Sequence, residues 1–234
     1  MPTKQTTKRQ SSHAAQRGRP QARPTRKVAE AHSDLDLDQV EELLLQGLET
    51  ELGGVEVYSM AVACAQNEDL RKEWEKYLDQ TRNHVDIVTR LCNSRGIDTE
   101  LETPGRLVVR HLGESLVLAM RQAKESASGA AAQLVAAECV VLAENKDHQN
   151  WELLKEVAKA LPADERHLFE EAIDEVEDEE DEHLYHTMGW ARELWIESLG
   201  LPAVLPPPEE KKEVKSAIGA ARAKKARKTM RKTR

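Results

Sequence analysis

The strongest constraint on this chain is a set of four long segments in which apolar residues recur at alternating steps of three and four. That spacing keeps the apolar face of a helix turned toward a shared core. The four stripes run Leu44–Ala65, Leu70–Leu91, Leu134–Trp151 and Ile173–Leu194. They predict helices from Ser33 or Asp36 to about 66, over 70–94, over 130–161 and over 162–199.

The connections between these predicted helices differ in length. Short turns at 67–69 and near Pro162 join the first helix to the second and the third to the fourth, so each pair is antiparallel. The second and third helices are separated by a long crossover, 97–128, in which Thr103-Pro104-Gly105 begins a short extra helix over 106–124. We therefore predict an all-α fold, an antiparallel four-helix bundle with one long crossover.

Composition agrees with a helical fold and excludes several classes of protein. Only 3% of the residues are aromatic, which disfavours sheets. No apolar run reaches the ~18 residues of a membrane span. The three cysteines, Cys64, Cys92 and Cys139, are not closely spaced, which indicates reduced thiols in a cytoplasmic protein. We find no nucleophile triad, phosphate-binding loop or Cys/His zinc cluster.

Ionisable side chains interrupt all four apolar stripes. Those on the predicted core face are Glu51, His84, Glu144, Glu180 and His183, with Glu138 and His148 as alternatives on the third helix. Glu51 and His84 lie 16 and 17 residues from the turn at Asn67, and Glu144 and Glu180 each lie 18 residues from the turn at Pro162. The four helices therefore present ionisable groups at one depth.

Buried carboxylates cost several kcal/mol each unless they are compensated. A divalent metal would offset that cost and would accept both Glu oxygen and His nitrogen, which the Glu180-x-x-His183 spacing brings to one face. The alternative is a hydrogen-bonded polar layer without metal. Two glycines beside Glu51, Gly53 and Gly54, indicate either a close helix contact or a kink.

Over roughly 35–199, the chain resembles the ferritin-like superfamily. Glu51 followed by Tyr58 is similar to the ligand motif of the first helix in that family, and Glu180-x-x-His183 is similar to the motif of the fourth. The second helix departs from the pattern, because Thr81 stands where the family has a glutamate. The surrounding segment, 80–85, resembles stress-induced ferritin-like proteins of enteric bacteria.

The resemblance implies non-haem iron or manganese bound inside the bundle, in a protein that handles oxidant or metal stress. Glu51 and His84 would hold one metal, Glu144 and His183 the other, and Glu180 would bridge them. Because Thr81 cannot bridge, a single-metal site, a weak dinuclear site and a site without metal all remain open. A catalytic version would oxidise Fe(II) or consume peroxide.

Charge divides the chain into three parts. Residues 31–208 hold 15 basic and 38 acidic residues, whereas 1–30 carry a net charge of +7 and 209–234 a net charge of +8. We predict a disordered basic tail over 1–32, the bundle over 33–201, and a proline linker with a basic Ala/Lys-rich tail over 202–234. An alternative function follows, a non-enzymatic bundle whose tails bind DNA or an acidic partner. A homo-oligomer is left open.

Overall fold

The computed structural model describes residues 35–210, which form five helices and no strand. The helices span Leu37–Cys64 (α1), Glu68–Ser94 (α2), Pro104–Ser126 (α3), Gly129–Ala160 (α4) and Ala163–Ser198 (α5). The prediction of an all-α fold is confirmed for these residues. The extra helix α3 has 23 residues, so it is longer than the sequence suggested.

Four of the five helices have an N-cap residue with a polar side chain that bonds to the first turn. Asp36, Asn67, Thr103 and Ser128 each accept hydrogen bonds from backbone N–H groups of the first turn that follows them. Such caps satisfy donors that have no partner within the helix. Pro162 precedes α5 without a side-chain cap, and its fixed φ suits the residue just before a helix. These local signals explain why the helices begin close to where the sequence predicts.

The direction of each helix follows from its contacts. Helix α1 packs against α2 and α4, and α5 packs against the same two helices, so the four surround one interior. Gln133, early in α4, bonds to the backbone of Gln66, whereas Asn150, late in α4, bonds to Thr50. Helices α1 and α4 are therefore antiparallel, and α2 and α4 run the same way. Helix α3 returns the chain along the bundle, covering ~35 Å at about 1.5 Å per residue.

Two apolar clusters fill the interior, one toward each end. Between them, all four helices have a segment that contributes to neither cluster, and these segments hold the predicted ionisable residues. The first cluster uses buried residues within 40–48, 87–92, 151–161 and 169–176, and the second uses residues within 57–65, 70–77, 136–140 and 190–194. The polar layer is thus closed off from both ends of the bundle.

Close helix contact explains the two glycines of α1, which continues as a helix through Cys64. A Cβ added at Gly54 would lie 3.1 Å from Cγ2 of Thr81 on α2, and one added at Gly113 of α3 would lie 3.6 Å from Cα of Gly53. Two neighbouring helices therefore approach α1 closely beside Glu51.

Helix α3 is attached to α1 by a buried ion pair. The guanidinium of Arg106 donates to Glu49 at 2.7 Å and also to the backbone carbonyl of Leu101 at 3.0 Å. Arg110 donates to the other oxygen of Glu49 at 2.7 Å. Burial alone would raise the pKa of Glu49, but the two arginines outweigh it and lower that pKa.

The proline-rich segment after α5, which the sequence assigns to a linker, lies against α5. The backbone N–H of Val204 donates to Glu193 at 2.8 Å, and Arg192 donates to the buried Glu209 at 2.6 Å. A Cβ added at Gly189 would lie 3.2 Å from Pro207, so the absence of a side chain there permits this contact.

The predicted basic tail over 1–32 lies outside the described residues, and so does 211–234, the greater part of the predicted proline linker and tail over 202–234. Nucleic-acid binding through the tails therefore stays a prediction. Within 35–210, none of the helices is both long enough and apolar enough to cross a membrane.

We expect Glu49→Gln to lower the free energy of unfolding at pH 7 by about 3 kcal/mol, because it leaves the buried Arg106 without its countercharge. Denaturant unfolding measures this loss, and Glu56→Gln, an exposed position on α1, is the matched control. Because the folded pKa of Glu49 is lowered, its contribution is present above the ordinary value of 4.5 and is lost as the pH falls. The difference from wild type should therefore shrink below pH 4.5; an equal loss at pH 3 and pH 7 would contradict the ion pair.

Candidate metal centre

All five residues that the sequence selects lie in the polar layer between the two apolar clusters. Each is at most 3% exposed, and together they come from all four helices that surround the interior: Glu51 from α1, His84 from α2, Glu144 from α4, and Glu180 and His183 from α5. The 3.6-residue repeat brings Glu180 and His183 to one face of α5.

Both histidines turn the same ring nitrogen toward the interior. Nδ1 of His84 lies 3.1 Å from Oε1 of Glu180, and Nδ1 of His183 lies 3.6 Å from the same oxygen. Their outer nitrogens have other partners: Nε2 of His84 lies 2.8 Å from Glu179, and Nε2 of His183 lies 3.1 Å from the side-chain oxygen of Gln80. A polar partner at the outer nitrogen fixes ring orientation and favours metal binding through the inner one.

Two further carboxylates flank the histidines. Oε2 of Glu51 lies 3.7 Å from Nδ1 of His84, and Oε2 of Glu144 lies 3.7 Å from Nδ1 of His183. The other oxygen of Glu51 accepts a hydrogen bond of 2.9 Å from the indole of Trp151. That bond holds the carboxylate in place and leaves Oε2 without a hydrogen-bond partner.

Asp147 of α4 also belongs to this layer, and sequence reasoning missed it. It is 6% exposed, and its Oδ1 has no hydrogen-bond partner. The stripe predicted from the sequence for this helix passes through Val141 and His148. The residues that are actually buried also alternate by three and four, but through Val140, Asp147 and Leu154. Both tracks contain Glu144, Trp151 and a valine, so the signal that could have distinguished them was Leu154, because the other track continues to Lys155.

Two sets of these residues could hold a metal ion. In each set, the three ligand atoms lie within 4.8 Å of one another: one set is His84, Glu180 and His183, and the other is Glu51, Asp147 and Glu180. Glu180 is common to both. The resemblance implies a different division, with the two histidines on separate metals.

The buried acids have no adequate compensation from the protein. Burial raises the pKa of Glu144 and of Asp147 well above the ordinary value, and the charges of Glu180 and Glu51 add to the effect. Burial raises the pKa of Glu180 to about 7. Oε1 of Glu180 lies 3.1 Å from Nδ1 of His84, but Oε2 has no hydrogen-bond partner, and an unsatisfied buried polar atom costs about 1–3 kcal/mol.

The two histidines differ in charge. Burial disfavours the charged form of His84, but Glu51, Glu179 and Glu180 outweigh burial and raise its pKa well above the ordinary value. Burial and the charge of His84 lower the pKa of His183 well below it. A proton on His84 therefore supplies the cluster with one positive charge, which a bound metal would replace.

The remaining residues considered from the sequence have other partners. Thr81 is buried, but its hydroxyl donates to the backbone oxygen of Tyr77 at 2.9 Å, so it is already engaged. Glu138 is exposed and accepts a hydrogen bond from Trp195. His148 is half-buried, and its Nδ1 lies 3.9 Å from Asp181.

Two tyrosines pack against His183 and close the layer on the side of the second apolar cluster. The ring of Tyr77 lies 4.3 Å and that of Tyr58 5.8 Å from the imidazole, measured between centroids. Burial, followed by the charge of Glu144, raises the pKa of Tyr58 well above the ordinary value. The phenol beside the cluster is therefore neutral.

Comparison of the chain with protein-family models, with curated proteins and with solved structures finds no match in any of the three. The class defined by the fold and the cluster is an all-helical protein with buried His, Glu and Asp groups that could hold a metal ion.

We expect Glu144→Gln to stabilise the metal-free protein at pH 8 by about 1–2 kcal/mol, because it removes an uncompensated buried charge. The folded pKa of Glu144 is raised, so wild type is more stable at low pH and loses stability as the pH rises past the ordinary value of 4.5. The gain should therefore be absent at pH 4 and present at pH 8 in denaturant unfolding. Glu152→Gln on the exposed face of α4 is the control, and a destabilised Glu144→Gln at pH 8 would refute the reasoning.

Proposed function

We propose that this protein is a ferritin-like four-helix bundle that binds non-haem iron or manganese in its interior and acts in oxidant or metal stress. Two features support the bundle assignment: the direction of the four helices and the long crossover through α3. In ferritin-like proteins, two antiparallel hairpins are likewise joined by one long connection, and inward-facing Glu and Glu-x-x-His residues hold the metals.

A single observation carries the metal-binding proposal. The inner nitrogens of His84 and His183 lie 3.1 Å and 3.6 Å from one oxygen of Glu180, and the nearby acidic oxygens Oε2 of Glu180, Oε2 of Glu51 and Oδ1 of Asp147 have no hydrogen-bond partner. A polar layer that served only packing would pair these atoms with donors from the protein, because buried polar groups are normally satisfied. A divalent cation accepts nitrogen and oxygen together and balances the acids.

The donor set suits iron and manganese. Imidazole is a good ligand for iron, and carboxylates suit manganese and iron. When bound, such a metal supplies one-electron chemistry toward dioxygen or peroxide. The residues of this chain hold the donors in place, exclude water from the ends of the layer, and keep the phenol of Tyr58 protonated nearby.

Metal content tests the proposal. We expect protein prepared without a polyhistidine tag and reconstituted with Fe(II) or Mn(II) to retain near-stoichiometric metal in elemental analysis. Glu180→Ala/His183→Ala should lose it, because these residues supply the shared oxygen and one of the two nitrogens. The matched control is His167→Ala/Glu171→Ala, an exposed His–Glu pair on the same helix, separated by 3.8 Å.

The alternative polar layer gives the opposite result. Wild type would then take up neither metal, and its melting temperature would be the same with and without Fe(II) or Mn(II). A fully loaded Glu180→Ala/His183→Ala variant would also overturn the proposal, because the metal would then bind elsewhere.

The partner of His84 provides a separate test. Glu179 is one-third exposed, and its carboxylate lies 2.8 Å from Nε2 of His84. We expect Glu179→Ala to weaken Mn(II) binding by about tenfold or more, because losing such a partner releases the imidazole from its orientation. Calorimetric titration measures the change. Glu175→Ala, an exposed acid one turn earlier on α5, should leave the affinity within about twofold of wild type.

A further inference from the structure

We propose that a groove between α1, α3 and α4 binds a small amphiphile, a carboxylate anion that carries an unbranched apolar chain of medium length. The ammonium of Lys146 receives the carboxylate, and the apolar walls of the groove receive the chain. The groove shares no residue with the candidate metal centre. The inference therefore goes beyond the proposed function and does not depend on it.

The groove has room for a small molecule and is lined mainly by apolar side chains. Its volume is about 320 Å³, which lies within the range typical of ligand pockets. Gly53 and Gly113 line it where the backbones of α1 and α3 come close together. Its apolar walls come from all three helices: Val57 of α1, Val109, Leu112 and Leu116 of α3, and Leu142 and Ala143 of α4.

Two leucines of these walls leave much of their surface in water. Leu112 of α3 is 56% exposed and Leu142 of α4 is 61% exposed. Removing such apolar surface from water is favourable. A hydrocarbon chain lying between α3 and α4 would cover both side chains, so the apolar part of the ligand has a defined place.

Lys146 places a positive charge in the same groove. It is half-buried, and its ammonium donates to the side-chain oxygen of Asn150. Asn150 is itself held in place, because its amide nitrogen donates to the hydroxyl of Thr50 at 2.9 Å. Lys155 and Lys159 of the same helix pair with carboxylates, whereas Lys146 forms no such ion pair within the described part of the chain. An ammonium has three donors, so the bond to Asn150 leaves others for the oxygens of a ligand.

The charges and the length of the groove favour an anion with a chain of medium length. Glu49 also lines the groove, but Arg106 and Arg110 balance its carboxylate. Thr50, beside the ammonium, and Val57 are seven residues apart on α1, which is about 10 Å at 1.5 Å per residue. A ligand such as octanoate therefore places its carboxylate at Lys146 and its chain along the leucines.

Calorimetric titration of the full chain with octanoate and with 1-octanol tests the charged end. A chelator keeps metal from binding the carboxylate, and the ionic strength is held constant. Wild type should bind one octanoate about tenfold more tightly than 1-octanol, because hydrogen bonds between charged groups are stronger than neutral ones. Lys146→Met keeps the apolar stem, removes the charge and should abolish this preference. Lys159→Met, at an exposed lysine of the same helix, should retain it.

A second pair of variants tests the apolar walls. Leu112→Ala/Leu142→Ala should weaken the binding of both ligands by about fivefold or more, because each then covers less apolar surface. The preference for octanoate over 1-octanol should remain. Leu107→Ala/Leu153→Ala changes two exposed leucines of the same helices outside the groove, and both affinities should stay within about twofold of wild type.

Three results would overturn the proposal. The first is the absence of octanoate binding to wild type. The second is an unchanged affinity for octanoate in either Lys146→Met or Leu112→Ala/Leu142→Ala, because the acid would then bind elsewhere. The third is a wild-type dimer in sedimentation equilibrium that dissociates in Leu112→Ala/Leu142→Ala, because a second copy of the chain would then cover the groove. None of these measurements involves a bound metal, so the proposed function is tested separately.

Discussion

The structure depends on how the charge of one buried polar layer is balanced. The four carboxylates of Glu51, Glu144, Asp147 and Glu180 and the imidazoles of His84 and His183 lie between two apolar clusters. Within residues 35–210, the cation found among them is the protonated His84. Burial raises the pKa values of Glu144, Asp147 and Glu180, and the charges of the neighbouring carboxylates add to the effect. A bound divalent cation would balance these charges, which links the stability of the bundle to the metal function we propose.

The rest of the fold positions this layer. The ion pair between Glu49 and Arg106 attaches α3 to α1 just before Glu51, and the two glycines of α1 allow α2 and α3 to approach closely at the same level. Helix α3 also makes the topology possible, because α2 and α4 run in the same direction and the chain must return along the bundle between them. The same contacts of α1 with α2 and α3 therefore pack the bundle and hold the buried polar residues in position.

Sequence reasoning predicted much of the fold and most of the cluster. Caps, turns and the alternation of three and four located all five helices to within a few residues, because these signals are local. The common depth of Glu51, His84, Glu144 and Glu180 followed from counting residues along antiparallel helices. Asp147 was missed because two tracks on α4 pass through Glu144 and Trp151, and they differ in apolar character mainly at Leu154, close to the end of the helix.

The sequence by itself determined the helices, their antiparallel pairing and the presence of ionisable groups at one level, since each depends on spacing along the chain. Tertiary structure alone decided which atoms meet. It turned Nδ1 of both histidines inward by giving Nε2 of each a partner, Glu179 or Gln80. It also brought Asp147 beside Glu51 and engaged the Thr81 hydroxyl with its own helix. Side-chain orientation depends on contacts between helices that are distant in sequence, so a single sequence cannot specify it.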